Sequence, residues 1–292
     1  MIKLEHFKPL FDHIEYAVRE FRKLDREETI RVVSHLDADG ICASSLLLKA
    51  LSLENRKYSV SIVQQLDESV LRELAGEQYK YIFFTDIGSG QLKLIEKHLG
   101  DRIIFVLDHH EPELVDSENI VHINPHLFGI GGSKQISGAG VVFLFSSALT
   151  KKLEDFAHIA VIGAIGDIQD EGGFSELNNY IIEIAEKKGK LKVIKGLRMF
   201  GAQTRPLHKL LEYCTDIYIP GVSGSESGAI QLLKQLGIEP KNNKKWRRLV
   251  DLSDEEIKRL VEGIIVRRLD EQNPEEIVGP VYILKEEDKG SP

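Results

Sequence analysis

The sequence predicts an α/β fold: a parallel β-sheet flanked by helices, followed by a mostly helical region. Three observations predict it. Short β-branched and aromatic runs alternate with helical patterns across residues 1–190. Two of those runs, Tyr79 to Thr85 and Arg102 to Leu107, are nearly continuous in apolar character, as strands covered on both faces must be. Acids or imidazoles cluster where these runs end, and open sheets of this kind bind ligands beyond the carboxyl ends of their strands.

Residues Leu4 to Leu24 set Leu10, Ile14, Ala17, Val18 and Phe21 at helical spacing, which predicts an amphipathic helix. Thr29 to Ser34 is a β-branched strand, and Gly40 opens a small-residue helix from Ile41 to Leu51. Tyr58 to Val63 alternates as a second strand, and Asp67 to Leu74 reads as a helix. Strand Tyr79 to Thr85, helix Gln91 to Leu99, strand Arg102 to Leu107 and strand Asn119 to Ile123 follow, the last closed by Asn124-Pro125. Such an order requires right-handed crossovers. The stretch from Phe128 to Gly140 is glycine-rich. Helices are expected at Val141 to Leu149, Ala157 to Ile165 and Asn178 to Lys188. Residues 1–190 thus read as one domain, and residues 191–292 as a mostly helical extension as far as Gln272. The strand-like run Gly279 to Leu284 has nothing after it to pack on, so the chain reads as interrupted there.

The 292 residues suffice for one large or two smaller domains. The apolar runs are too short and too broken by charge to span a membrane, and the first residues lack the apolar core of a signal peptide. The two cysteines, Cys42 and Cys214, are far apart and read as reduced core residues of a cytoplasmic protein. A net charge of −8 argues against broad electrostatic wrapping of duplex. It does not argue against a local site whose sign is reversed by bound cations.

The acidic outcrops are His35-Leu36-Asp37-Ala38-Asp39-Gly40, Thr85-Asp86, Asp108-His109-His110 and Gly166-Asp167. A single Asp after a strand is ordinarily a helix cap, and a single buried His is ordinarily hydrogen-bonded core. Four outcrops in ordered succession point instead to one shared site. Carboxylates crowded so closely repel, and a pair of divalent ions removes that repulsion. Ligation by Asp and His without Cys suits Mn²⁺ or Mg²⁺, with Zn²⁺ or Fe²⁺ less suited. The backbone amides of Ser137, Gly138 and Ala139 have two readings, a phosphate cradle at a helix start or a turn served by its glycines. Arg205 and the loop Ser223-Gly224-Ser225 are candidates for lining a substrate path. The run Lys241 to Arg248 carries five positive charges and Trp246; it reads first as a solvated helix start and second as a base-stacking patch. His122 and His126, like the other histidines outside the outcrops, read by default as surface or packing residues, although His126 lies near the outcrops in sequence.

These motifs resemble those of the DHH phosphoesterase superfamily, named for the pattern at Asp108-His109-His110. Ser34 to Gly40 is similar to its first motif in the RecJ-type form, Thr85-Asp86 to its second and Gly163 to Asp167 to its fourth. The resemblance covers about residues 28–190, and residues 196–284 are similar to the middle region of archaeal RecJ-like nucleases, including the GINS-associated nuclease. It implies a two-Mn²⁺ phosphodiesterase, an exonuclease on single-stranded DNA or RNA in replication or repair, with a replisome partner such as GINS. Carried over by motif, His35, Asp37 and Asp167 would hold one ion, Asp39 and His109 the other, with Asp86 bridging. Asp108 would stand behind the ligands, and His110 would contact the scissile phosphate. The glycine-rich DHHA1 domain that grips nucleic acid in the family is not recognisable after residue 200, which implies a shortened chain or reliance on a partner. The alternatives on the same site are a small-nucleotide phosphodiesterase, a pyrophosphatase and a replisome scaffold. The first-motif spacing disfavours the hydrolase alternatives, and the full ligand set disfavours the scaffold.

Overall fold

A computed structural model describes residues 4–285 apart from Phe200, Gln203 and Asp216. The charged tail from residue 286 lies outside the described residues. Contacts divide the chain into two units, one running to Lys192 and taking up the last residues from Leu284, the other from Val193 to Ile283.

The first unit is built on a five-stranded parallel sheet of order β2-β1-β3-β4-β5. Its strands are β1 (Ile30–His35), β2 (Tyr58–Val63), β3 (Tyr81–Thr85), β4 (Ile103–Leu107) and β5 (Ile120–Ile123). Every residue of β3 is buried, as its unbroken apolar run requires. On one face lie α1 (Lys8–Lys23), α2 (Ala38–Leu53) and α6 (Gly138–Leu149), with α7 (Ala157–Gly166) packed against α2 and α6. The core there is aromatic: Phe83 stacks on Phe105 at 4.4 Å, with Phe21 and Phe145 edge-on or tilted around them. The other face is covered by α3 (Glu68–Gly76) and α4 (Leu92–Leu99), whose Leu71, Leu74, Ile95 and Leu99 pack on Ile82, Phe84, Ile104 and Val106. A short α5 (Gly132–Gln135) and α8 (Glu176–Lys187) complete the unit. Among the described residues no helix is long and apolar enough to cross a membrane.

In this strand order the chain leaves β1 first for one side, to β2, and then for the other, to β3. The crevice between β1 and β3, beyond their carboxyl ends, is therefore the switch point where ligands bind in such sheets.

The second unit keeps a helical core from α9 (Leu207–Glu212), α10 (Glu226–Gln235) and α11 (Asp254–Arg267), which bury Leu210, Leu211, Leu233, Leu260 and Ile264 together. It also contains strands that the sequence reading missed. β6 (Leu191–Leu197) pairs with β9 (Val278–Leu284), so the terminal strand-like run does have a partner, lying some eighty residues earlier in the chain. Lys192 and Lys195 break up the apolar pattern of β6, and only this non-local pairing makes it a strand. The basic run is a hairpin rather than a helix start: β7 (Lys241–Asn242) and β8 (Lys245–Trp246) are antiparallel. Asn243 and Lys244 both adopt positive φ, 46° and 74°, as a two-residue hairpin turn demands. The His208 ring, 3.8 Å away, and Lys241 Nζ, 4.0 Å away, already engage the Trp246 ring, which disfavours its use as a base-stacking platform.

Candidate metal centre

The four acidic outcrops meet at the switch point. His35 ends β1, and the chain turns at once into α2. Asp37 caps that helix, its Oδ1 accepting from Gly40 N at 2.9 Å. The turn is so tight that a Cβ at Gly40 would lie 2.4 Å from the His35 carbonyl oxygen. Asp39, in the first turn of α2, is buried; Asp37 is half-exposed. Ser34 Oγ donates to Gly40 O and accepts from Thr85 Oγ1, tying the ends of β1 and β3 to the start of α2.

Asp86 follows β3 with φ at 57°, in the left-handed region that a non-glycine residue rarely occupies. Its amide donates to Leu107 O at 2.9 Å, holding the strained turn to the end of β4. Asp108, fully buried, is saturated with donors. Its Oδ2 accepts from Ser89 N, and its Oδ1 from His109 N and from His110 Nδ1 at 2.7 Å. It therefore orients the His110 imidazole, holds the backbone at His109 and has little left to give a metal. Burial alone would raise its pKa, but His110 and these other donors hold it well below the carboxylate range. The same contact with Asp108 raises the pKa of His110, which is just over half exposed.

His109 Nδ1 lies 3.0 Å from Gly132 O. A carbonyl can only accept, so Nδ1 carries a proton, and Nε2 is left to face the acids or to serve as the ligand atom toward a cation between them. That Nε2 lies 3.3 Å from Asp86 Oδ1 and 3.7 Å from Asp39 Oδ2. Asp167, the C-cap of α7, accepts from Gln169 Nε2 at 2.7 Å.

Three overlapping sets of ligand atoms lie within 4.8 Å of one another: His35, Asp37 and Asp86; Asp39, His109 and Asp167; and Asp86 with Asp108, His109 and His110. Asp86 and His109 each belong to two sets. Asp167 thus groups with Asp39 and His109, and not with His35 and Asp37 as the family resemblance implied. The donor set fits divalent cations on a further observation. Both carboxylate oxygens of Asp86, His109 Nε2 and His35 Nδ1 are buried without a hydrogen-bond partner, although His35 Nδ1 is only 2.8 Å from Asp37 Oδ2. Buried polar atoms are almost always paired, so a group converging unpaired has the make-up of a site that could hold a cation. Electrostatics agree. Burial drives the pKa of Asp39 and Asp86 upward. Burial alone would lower His109, but the neighbouring Asp86 and Asp39 outweigh it and raise its pKa.

Gly138 and Ala139 do not offer their amides to a phosphate. They donate instead to Asp39, at 2.6 Å to Oδ2 and 3.0 Å to Oδ1, because the start of α6 abuts the start of α2. Ser137 caps α6, accepting from Gly140 N. Glycines in this region serve close approach: a Cβ at Gly138 would lie 2.3 Å from Asp86 Oδ1, and one at Gly163 2.5 Å from Asp39 Oδ1. Arg205 belongs to the second unit, where its guanidinium lies 5.7 Å from the Tyr213 ring centre. The Ser223–Ser225 loop there is bonded inward: Ser223 Oγ donates to Cys214 O, and Ser225 caps α10.

Sequence reasoning missed the supports. Gln169 Nε2 reaches both Asp167 and Gly132 O, the carbonyl that orients His109, and Asn178 donates to its Oε1. Asn124 donates to His110 O and to Ser89 Oγ, which also contacts the partly buried His122. The only signals were adjacency to Asp167 and the Asn-Pro pair after β5.

Residues 29–164 match the DHH family, N-terminal domain, and residues 199–280 the DHH-CID domain. The chain belongs to the DHH superfamily. Within that superfamily it is RecJ-like. It is 34% identical over 262 residues to MJ0831 of Methanocaldococcus jannaschii, described as uncharacterized, covering 88% of this chain and 57% of that one. It is 30% identical over 166 residues to the single-stranded-DNA-specific exonuclease RecJ of Bacillus subtilis, covering 53% of this chain and 21% of the relative. The chain therefore spans little more than half of the first relative and a fifth of the second. The CDC45 structure from Entamoeba histolytica shares the fold with a TM-score of 0.68 at 14% identity, covering 96% of this chain and 59% of that one.

Proposed function

We propose that this DHH protein is a metal-dependent phosphodiesterase that removes nucleotides from single-stranded DNA or RNA, with two Mn²⁺ ions as its working metals and Mg²⁺ as the alternative. The observation that carries the reading is the unpaired convergence of Asp86, His109 and His35 within a shell completed by Asp37, Asp39 and Asp167. In this reading His35, Asp37 and Asp86 hold one ion, and Asp39, His109 and Asp167 the other, with Asp86 between them. Bound there, the pair would activate water and neutralise charge on the phosphoryl group. Asp108 accepts from His110 Nδ1 and favours the doubly protonated ring, whose remaining N–H then donates to a phosphate oxygen. RecJ of Bacillus subtilis, by its name a single-strand-specific exonuclease, supports the substrate class.

The test is cleavage of strands labelled at either end, with and without Mn²⁺. Asp39→Ala and Asp86→Ala should each lower the rate about a thousandfold or more, the size expected when several kcal/mol of charge stabilisation disappear. Full activity in either variant rejects the reading. Faster turnover of pyrophosphate or dinucleotides than of long strands would favour the small-substrate alternative. Activity in no assay, with retained binding to a replisome protein such as GINS, would favour the scaffold.

A further inference from the structure

We infer that the apolar residues at the mouth of the metal centre, Ile168 foremost, receive an unpaired base of the bound strand. This rests on the reading above and names how the site distinguishes a nucleic-acid strand from a base-free phosphate ester.

Helix α7 ends in a Schellman motif. Ile168 N donates to Ile165 O at 3.0 Å, and Gln169 N to Ala164 O at 3.0 Å. The residue after the C-cap of such a motif sits in the left-handed region and is usually Gly, sometimes Asn. Here it is Ile168, with φ at 56°, a conformation that strains a β-branched side chain. The turn's own hydrogen bonds offset part of the cost, but no packing inside the fold does, because the residue is 69% exposed. Strain of this kind is held at sites where the residue serves a function.

Ile168 is not alone. Leu36, between the ligands His35 and Asp37, is 45% exposed, and Ile41, two residues after Asp39, is 49% exposed. The two groups adjoin: a Cβ at Gly166 would lie 2.6 Å from Ala38 Cβ, so the end of α7 rests on the first turn of α2. Exposed apolar residues therefore alternate with ligand residues along these two adjoining segments. A mouth shaped for a bare anion has no use for them. A phosphodiester seated on the ligands must carry its sugars and bases past these residues. An unpaired base presents an apolar face; a duplex base is already stacked, and pyrophosphate has no base at all.

The experiment measures binding by fluorescence anisotropy, using the full chain with Ca²⁺ in place of Mn²⁺ to suppress turnover. The probes are labelled oligothymidylate and an abasic strand of equal length. Ile168→Asn should weaken oligothymidylate binding about five- to tenfold, as expected for losing one modest apolar contact to a base. Binding of the abasic strand and calorimetric Mn²⁺ uptake should be unchanged, and Ile168→Val should behave as wild type. Because Asn suits the left-handed region, the variant's Tm should rise by about 2 °C. Undiminished oligothymidylate binding overturns the inference. So does an equal loss on both strands, or a loss of Mn²⁺ uptake, which would mean that Ile168 merely positions Asp167. If the wild-type chain binds neither strand, the nucleic-acid reading fails first and this one with it.

Discussion

Gly138→Ala removes no ligand, yet it should disable the metal centre. The added Cβ would lie 2.3 Å from Asp86 Oδ1 and 2.8 Å from the Asp86 Cβ and Cγ, where ordinary contact begins at 3.4 Å. One side must move by about 1 Å. Helix α6 is poorly placed to yield, since its residues from Gly138 to Ser146 are buried and its first amides are fastened to Asp39. The Asp86 backbone is held at φ 57° by its bond to Leu107 O, so the carboxylate itself must swing aside. A displacement of about 1 Å at a reacting centre costs roughly a hundredfold in rate, or about 2.7 kcal/mol. Calorimetry should show Mn²⁺ affinity falling about ten- to a hundredfold, and labelled-strand cleavage should fall about a hundredfold. Gly76→Ala is the control, because a Cβ there meets nothing within 4 Å. Circular dichroism establishes that both variants fold. Wild-type Mn²⁺ uptake and cleavage in a folded Gly138→Ala protein would refute the claim that glycine is there to admit the Asp86 carboxylate.

Gln169→Leu removes the amide shared by Asp167 and the Gly132 carbonyl and leaves Asn178 without its acceptor; Mn²⁺ affinity measured by calorimetry should fall about ten- to a hundredfold. Mn²⁺ at a hundred times its Kd should stabilise the folded protein by about 2.7 kcal/mol in thermal unfolding, a gain that a chelator reverses and that Asp86→Asn abolishes. Stability should also depend on pH through His122, whose pKa burial lowers to about 4 despite the opposing charge of Asp108 and with a small contribution from His13. The unfolded chain then binds the extra proton between about pH 6.5 and 4, so stability is complete above that window and is lost as pH falls through it, by on the order of 3 kcal/mol. Urea unfolding at pH 7.5 and 4.5 checks this, and His122→Asn should shrink the difference.

The sheet was largely legible because each strand is a short apolar run bounded by polar residues. Tyr58–Val63 matches its predicted limits, and the other four strands end where expected or within one residue. The eight residues singled out in the acidic outcrops are also those that the structure gathers, since parallel strands deliver their carboxyl ends to one edge. What was not legible depends on partners distant in sequence. β6 is a strand only through β9. The amides of Gly138 and Ala139 look like a free anion cradle until Asp39, about a hundred residues earlier, is found occupying them. Asp167 sits beside Asp39 and His109 because α7 packs on α2 and α6, a contact that no local pattern encodes.

Two left-handed residues carry the remaining argument. A sequence reader expects Gly or Asn at such positions, so Asp86 at φ 57° and Ile168 at φ 56° leave no local mark. At Asp86 the strain has a visible counterpart in the fold. Only that backbone turn points both carboxylate oxygens inward, between His35 on one side and His109 on the other. At Ile168 the turn closes the end of α7 and delivers Gln169 to Asp167 and Gly132 O, but the exposed side chain has no packing counterpart among the described residues. The same backbone penalty therefore has two explanations. One is answered by the ligand set within the chain; for the exposed side chain of the other, the proposed base is the counterpart.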